Sequence, residues 1–298
     1  MFKRSQPGGF YYPKDYPTRF ISLVKWQFKF KALWRWFRIQ KVSTRLLGYQ
    51  YTPSVDLIEI DITYLCNLRC KNCNRSSAQA PEAVHIGLSD INKFVEETIA
   101  NQRYWRRIRI LGGEPTLHPD FLAIMNALLP LKQMGLAEKI QVVSNGFGPK
   151  VNATLEKLPK GIELENSAKV GNIQPTFGPF NEAPKDSSVY HFTDFSHGCD
   201  IMHNCGIGLT PLGYYPCAVA GGIDRVTKTG HGRSHLPTCD DEMRDLLARN
   251  CQLCGRFKDG HYVPEKLRPP LLEQKTSKSW HAIYQAWKAS SRLDSTND

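Results

Sequence analysis

Long apolar runs are missing from this 298-residue chain. No stretch of about 18 consecutive apolar residues occurs, so no segment reads as a membrane-spanning helix. Met1–Tyr16 is polar and aromatic with no apolar h-region, so no secretory signal peptide is expected and the reducing cytosol is the expected compartment. Without secretion, a disulfide framework is the weaker use for nine cysteines and metal binding the stronger one. Internal repeats and low-complexity tracts are also absent, which excludes solenoids and arrays. No RNA- or DNA-binding motif is present, so nucleic acid is not an expected partner. Acid is scarce in one region: residues 1–50 hold eleven Lys and Arg against Asp15 alone, so +10 of the net +11 lies there.

What fills that basic region is aromatic. If Phe20–Val42 is helical, Leu23, Trp26, Phe30, Leu33, Trp34 and Phe37 fall on one face at three- to four-residue spacing, with Phe28 and Trp36 among the bases. The expectation is a packing helix that caps the fold with its apolar stripe. The alternative is an interfacial helix on a membrane surface or an acidic partner, through residues 20–42.

The chain is organised around Asp61–Ser76, DITYLCNLRCKNCNRS, which ends a hydrophobic run in Cys66, Cys70 and Cys73, spaced C-x3-C-x2-C. Intervals this short let one loop wrap thiolates around an iron–sulfur cube. Three thiolates leave the fourth iron open, a place for chemistry rather than a closed electron carrier. Zinc sites more often take two cysteine pairs. The stretch resembles the radical S-adenosylmethionine (radical SAM) superfamily, whose defining motif is this CxxxCxxC after a first barrel strand.

From Ser54 onward strand and helix patterns alternate, which argues for parallel β/α units. The expected strands are Leu57–Thr63, Arg107–Leu111, Lys139–Ser144 and Gly161–Ala168. The expected helices are Leu88–Asn101, capped by Ser89 or Asp90, and Asp120–Met134, interrupted by Pro130. Gly171–Pro184 has the composition of a loop. Strand two ends in Gly112–Gly113–Glu114–Pro115, which matches the superfamily's GGEP stretch. Glycines let backbone carbonyls approach an ammonium, and Glu114 adds a charged acceptor. By resemblance this turn binds the cofactor methionine, Ser144–Asn145–Gly146 is the next cofactor-facing turn, and Ser167 and Lys169 stand where a fourth strand touches ribose or carboxylate. The family favours an aromatic residue just before the third cysteine, to pack on adenine; Asn72 stands there instead. The resemblance implies a [4Fe–4S] cluster with an open iron, S-adenosylmethionine as cofactor, a reductant such as flavodoxin or ferredoxin, and a 5′-deoxyadenosyl radical that abstracts a substrate hydrogen.

Six cysteines crowd the C-terminal part: Cys199, Cys205, Cys217, Cys239, Cys251 and Cys254. CGIGLTPLGYYPC reads as a hairpin turning at Leu212–Gly213, which sets Cys217 opposite Gly208. Two cysteine pairs make either a four-thiolate zinc site or a second [4Fe–4S] cluster, and spacing does not separate these. The run resembles the twitch or truncated SPASM extension of radical SAM enzymes, which implies one auxiliary [4Fe–4S] cluster on Cys217, Cys251, Cys254 and a first ligand. Cys205 is preferred for that ligand as nearer the hairpin, and Cys199 competes. Cys239 is left over, as a buried thiol or a hydrogen-atom donor. His231 and His235 read as a solvated loop, and Ser277–Lys288 as a packing helix with Trp280, Tyr284 and Trp287 on one stripe.

The fold class expected is α/β: a truncated (β/α) partial barrel with a small cysteine-rich hairpin and helix extension. The expected division is a basic aromatic segment at 1–52, the barrel at 53–195, a twitch-like region at 196–258 and a helical tail at 259–298. Relatives with such extensions dehydrogenate or epimerise hydroxyl-bearing carbons, or modify peptides. Peptide-modifying enzymes often carry a leader-binding domain for which residues 1–52 are too short, so a small polar substrate is favoured. The reading of another class is a non-catalytic iron–sulfur or zinc protein.

Overall fold

The computed structural model describes residues 21–167, 169, 174, 180–261 and 276–294. Phe20 and most of the Gly171–Pro184 stretch lie outside the described residues. Among the described residues six strands make one open sheet in the order β4-β3-β2-β1-β5-β6: β1 Leu57–Thr63, β2 Trp105–Gly112, β3 Ala137–Ser144, β4 Ile162–Asn166, β5 Ile207–Thr210 and β6 Gly213–Tyr215. β1 to β5 pair in parallel, and only β6 runs antiparallel, against β5. The sheet does not close, so the architecture is a partial β/α barrel.

Alternation along the central strands sorts two chemistries onto two faces. Ile58, Ile60, Ile62, Ile108, Ile110, Ile140 and Val142 are fully buried in the main core. That core is shared with Ile91 and Phe94 of α3 (Leu88–Ala100) and with Phe121, Ile124, Met125, Leu128 and Leu131 of α4 (Phe121–Gln133). The intervening positions, Glu59, Asp61, Arg107, Arg109, Glu163 and Glu165, give the opposite face its charge, with the neutral Gln141 among them.

Two local expectations are corrected. The N-cap of α3 is Gly87, one residue before the expected start, and Asp90 accepts the Gly87 N–H at 3.2 Å. Pro130 does not interrupt α4: it lies in the last turn, where it forfeits one helical bond, and Met134 still donates to its carbonyl at 2.9 Å.

β5 and β6 extend the sheet on the far side of β1, so the hairpin of the cysteine-rich region belongs to the same sheet as the barrel strands. Its turn is Pro211–Leu212, one residue earlier than expected, and Tyr215, not Cys217, faces Gly208. Pro211 presets the turn, the Thr210 hydroxyl accepts the Leu212 N–H at 3.1 Å, and Gly213 takes φ +105° where a Cβ would meet the Arg233 carbonyl at 2.5 Å. α5 (Pro149–Leu155) and α6 (Asp200–Asn204) precede the hairpin, α7 (Ala218–Thr227) follows it, and then come α8 (Arg244–Cys251) and α9 (Arg256–Asp259).

The basic segment forms α1 (Ile21–Arg38) and α2 (Lys41–Leu47). The face of α1 that meets the body is not the aromatic stripe. Arg35, 3% exposed, stacks over Phe257 and donates to the carbonyls of Gly198 and Phe257 at 2.5 and 3.2 Å. Phe28 stacks on His261, and Ile39 is fully buried. α2 is fastened by His197, whose Nδ1 lies 3.0 Å from Thr44 Oγ1; burial beside Arg35, Arg38 and Arg244 pushes the imidazole down to about 3, so it stays neutral. The expectation that the stripe caps the fold is therefore reversed: Trp26, Phe30, Leu33, Trp34 and Phe37 are all exposed. The C-terminal helix α10 (Lys278–Asp294) does pack through its stripe, with Trp280 and Tyr284 buried.

Candidate active site

The loop carrying Cys66, Cys70 and Cys73 leaves the C-terminal end of β1, where working residues of β/α barrels sit. The GGEP turn leaves β2 beside it, and the two are bonded backbone to backbone: Gly113 N–H donates to the Thr63 carbonyl at 2.7 Å and Glu114 N–H to the Leu65 carbonyl at 2.8 Å. This contact is why both glycines are required. A Cβ on Gly112 would lie 2.1 Å from the Thr63 oxygen, and one on Gly113 2.3 Å from that of Leu65.

Glu114 is fully buried and joins the third element. Its Oε1 accepts from the Thr116 N–H and hydroxyl and from the Ser144 hydroxyl, and its Oε2 accepts the Asn145 N–H at 2.8 Å. Four donors thus fill the carboxylate's sites, so Glu114 locks the GGEP turn to the end of β3, and an ammonium would share it with hydroxyls that can rotate. Pro115 opens the short helical turn that places Thr116. Asn145 in turn donates to Asn67 at 2.8 Å and lies 4.0 Å from Cys66 Sγ. Ser167 donates to the Ser144 carbonyl at 2.8 Å, which ties β4 into the same cluster of ends.

The cysteine environment fits thiolate ligands. Cys66 Sγ accepts the Leu68 N–H and Cys70 Sγ the Gln174 side chain, each at 3.4 Å. Burial pushes the Cys66 thiol up to about 11 and the Cys70 thiol up as well, while Lys169 pulls both back. Unligated, these thiols stay protonated at neutral pH, and a metal cluster beside N–H donors and a lysine is what ionises them. Asn72 holds the Gln174 backbone in a reciprocal pair, 2.9 and 2.8 Å, which fixes the residue that donates to Cys70. Asn72 is fully buried in that role, so it does not offer the adenine platform the family favours at its position.

Sequence reasoning missed the charged face of the sheet below these loops. Arg75, just past the cysteine loop, bridges Glu59 at 2.9 Å and Asp61 at 3.1 Å, and Arg109 links Glu59 at 2.8 Å to Glu165 at 3.0 Å. Burial opposes ionisation of Glu59, yet two arginines hold its carboxyl below the usual range. At Asp61 burial, with Glu59 beside it, outweighs the pairing with Arg75 and pushes the carboxyl up to about 6. The signal was present: LIEIDIT and RIRIL set charges at period two on central strands, and such charge buried in a sheet needs partners.

The second cysteine group is reordered. Cys199, Cys217, Cys251 and Cys254 are all buried and line one small cavity of about 20 Å³, walled by Met202, Val219, Ile223, Leu247 and Phe257. Burial first raises all four thiols; Asp200 then helps push Cys199 to about 11, and repulsion from Cys199 adds to the rise of Cys217, Cys251 and Cys254, the last to about 12. Cys205 stands apart, beside Glu59, Arg107 and Arg109, so the sequence preference for Cys205 over Cys199 is not met by the placement. Among the described residues no three His, Cys, Asp or Glu side chains converge on a single-ion point; a cube of four irons spreads its thiolates more widely than one ion does. Arg35 and Arg256 stand next to this group, and Arg256 pairs with Asp200 at 3.0 Å.

Cys239 is exposed, not buried, and accepts a hydrogen bond from Arg103. It lines a pocket with Val55 and Ile207, where β1 and β5 begin, at the opposite ends of the strands from Cys66. That placement removes it from the cofactor cleft and from hydrogen donation there. His231 and His235 are exposed, as expected of a solvated loop.

Residues 60–165 match the family described as Radical SAM superfamily, and that span holds the cysteine loop, the GGEP turn and Ser144–Asn145. Residues 60–165 form a radical SAM domain. Sequence relatives of the chain include the GTP 3′,8-cyclase of Mannheimia succiniciproducens, 27% identical over 137 residues, 45% of this chain and 36% of the relative. That of Haemophilus ducreyi is 34% identical over 99 residues, 33% of this chain and 27% of the relative. The chain spans about a third of the length of the curated relatives it matches. Among solved structures, BtrN in complex with AdoMet and 2-DOIA is similar at 13% identity and a TM-score of 0.38, over 71% of this chain and 90% of that one. Streptococcus suis SuiB bound to the precursor peptide SuiA is similar at 18% identity and a TM-score of 0.30, over 41% of this chain and 26% of that one. Likeness this distant assigns no substrate to the radical SAM domain.

Glu114 gives this site a direct check. Glu114→Ala should keep the full iron content, because Glu114 touches no cysteine, yet weaken S-adenosylmethionine binding about tenfold or more. It leaves the buried Asn145 N–H and Ser144 hydroxyl unpaired, a loss of roughly 1–3 kcal/mol each. Iron analysis beside equilibrium binding of the cofactor decides it, and loss of iron in parallel would make Glu114 part of the metal loop's support instead.

Proposed function

We propose that the protein is a radical SAM enzyme acting on a carbon of a small polar, hydroxyl-bearing substrate, with dehydrogenation or epimerisation as the reaction. The observation that carries this reading is the meeting of three strand ends at Cys66: the cysteine loop of β1, the GGEP turn of β2 and Ser144–Asn145 of β3, locked together through Glu114. When bound, a three-cysteine [4Fe–4S] cluster and S-adenosylmethionine supply a 5′-deoxyadenosyl radical by one-electron cleavage of the sulfonium. Cys66, Cys70 and Cys73 would hold the cluster. Carbonyls at Gly112–Gly113 and the Glu114 carboxylate would hold the methionine ammonium, and Lys169 would meet its carboxylate.

The charged sheet face supports the polar substrate over a peptide. Arg109 and Glu165, each 13% exposed, offer a donor and an acceptor that hydroxyl groups can use, and the ion pairs with each other and with the buried Glu59 hold them in fixed positions. Cys199, Cys217, Cys251 and Cys254 would hold an auxiliary [4Fe–4S] cluster. A flavodoxin- or ferredoxin-like protein would supply the electron, in the cytoplasm. The peptide-modifying reading keeps its place as the alternative outcome of the same assay.

Anaerobic incubation of the iron-loaded protein with S-adenosylmethionine and dithionite should yield methionine and 5′-deoxyadenosine. Deuterium from the true substrate carbon should appear in the 5′-deoxyadenosine. No cleavage by protein that holds its iron would overturn the reading, and label transfer from a peptide instead of a hydroxylated metabolite would move it to the alternative.

A further inference from the structure

We infer that α1 and α2 seat the protein on an anionic membrane surface, with the aromatic ridge of α1 in the headgroup boundary. Two faces of α1 are chemically inverted relative to a packing helix. The inward face is held by Arg35, Phe28 and Ile39, whereas Trp26, Phe30, Leu33, Trp34 and Phe37 are 66, 58, 62, 47 and 43% exposed. These five recur at three- to four-residue spacing and form one continuous ridge. The ridge does not end with α1. Val42, Leu46 and Leu47 of α2 are exposed, as are Val189 and Phe192, which the Trp36 indole and the Lys41 N–H tie to the helices through their carbonyls at 3.3 and 3.0 Å. Among the described residues, eleven of the seventeen exposed large apolar side chains belong to this region, which sets it apart from the single exposures normal on any surface.

Charge selects the occupant. Lys25, Lys29, Lys31, Lys41 and Arg45 are exposed on the same two helices, and no acidic residue occurs between Asp15 and Asp56. A polyanion such as RNA would answer the bases but leave the apolar ridge in water. An apolar protein groove would answer the ridge but not the bases. An anionic bilayer answers both, because lipid yields around a convex ridge while long basic side chains reach back to the headgroups. Each base near such a surface favours binding by roughly fivefold. The helix is already folded and pinned by Arg35, so binding carries no cost of ordering it. Among the described residues no helix is long and apolar enough to cross a membrane, so the attachment is to the surface.

The test uses the full chain and two sets of vesicles, phosphatidylcholine alone and phosphatidylcholine with a third phosphatidylglycerol. At low salt the protein should sediment with the anionic vesicles at least about tenfold more than with the neutral ones. It should be released as salt shortens the Debye length from roughly 10 Å at 0.1 M to 3 Å at 1 M. The Trp26→Gln/Phe30→Gln/Phe37→Gln variant alters only exposed side chains, so 5′-deoxyadenosine formation should be unchanged while vesicle binding falls about tenfold or more. Equal recovery in the supernatant with both vesicles would overturn the inference. So would a dimer of the wild type that the triple variant converts to monomer without any vesicle binding, which makes the ridge a self-association surface. Vesicle binding that persists undiminished in the triple variant would reduce the effect to charge alone and overturn the role of the ridge.

Discussion

Replacing Cys66, Cys70 and Cys73 together by Ala should remove about four irons per chain and abolish 5′-deoxyadenosine formation. The reason is positional. Cys199, Cys217, Cys251 and Cys254 are enclosed around their own cavity, and Cys239 and Cys205, the latter just before β5, lie at the other ends of the strands, so no thiol is placed to substitute in the β1 loop. The fold should survive, because the loop is also held by bonds that do not involve sulfur: Asn67 to Asn145 and Phe147, Asn72 to Gln174, and Arg75 to Glu59 and Asp61. Iron content, circular dichroism and product analysis on one preparation test the three parts together. Retained cleavage in the triple variant would sink the radical mechanism, and loss of the circular dichroism signal would show that the cluster, not these side chains, holds the loop.

How much of this was legible beforehand depended on the range of the interactions involved. β1 was read residue for residue, because a central strand buried on both sides carries its own alternation, Ile against Glu and Asp. The site motifs were legible for a related reason: CxxxCxxC and GGEP encode short backbone geometry, and Gly112 and Gly113 are the only residues that fit against Thr63 and Leu65. What failed depended on distant partners. The outward turn of the α1 stripe is set by one residue, Arg35, meeting carbonyls 163 and 222 positions away, and local periodicity says which residues share a face but not which way that face points. The hairpin shifted by one residue because Gly213 must pass under the Arg233 carbonyl, a contact no turn signal carries. Cys199 lost to Cys205 in sequence because nearness in chain stood in for nearness in space.

Anaerobic reconstitution of the intact protein should give about eight irons, two cubes of four, and the Cys217→Ala/Cys251→Ala/Cys254→Ala variant about four. The single substitutions then decide the remaining ligand. Cys199→Ala should lose auxiliary-cluster absorption, because Cys199 lines the same cavity as the other three and shares their mutual repulsion. Cys205→Ala should keep it, since that thiol sits among Glu59, Arg107 and Arg109 on the charged sheet face. Arg35 adds a second reading of the same site. A buried guanidinium beside Cys199 and Cys251 offsets part of the negative charge that four thiolates bring to a cube, and it also pins α1. Arg35→Met keeps the stem's packing on Phe257 but removes that charge, so the auxiliary potential should fall while the iron count holds. Stoichiometric zinc in protein that has not lost iron would assign these four cysteines to a structural ion. Loss of the auxiliary absorption in Cys205→Ala, with Cys199→Ala unaffected, would mean that loading the cluster rearranges the cavity the four buried thiols now share.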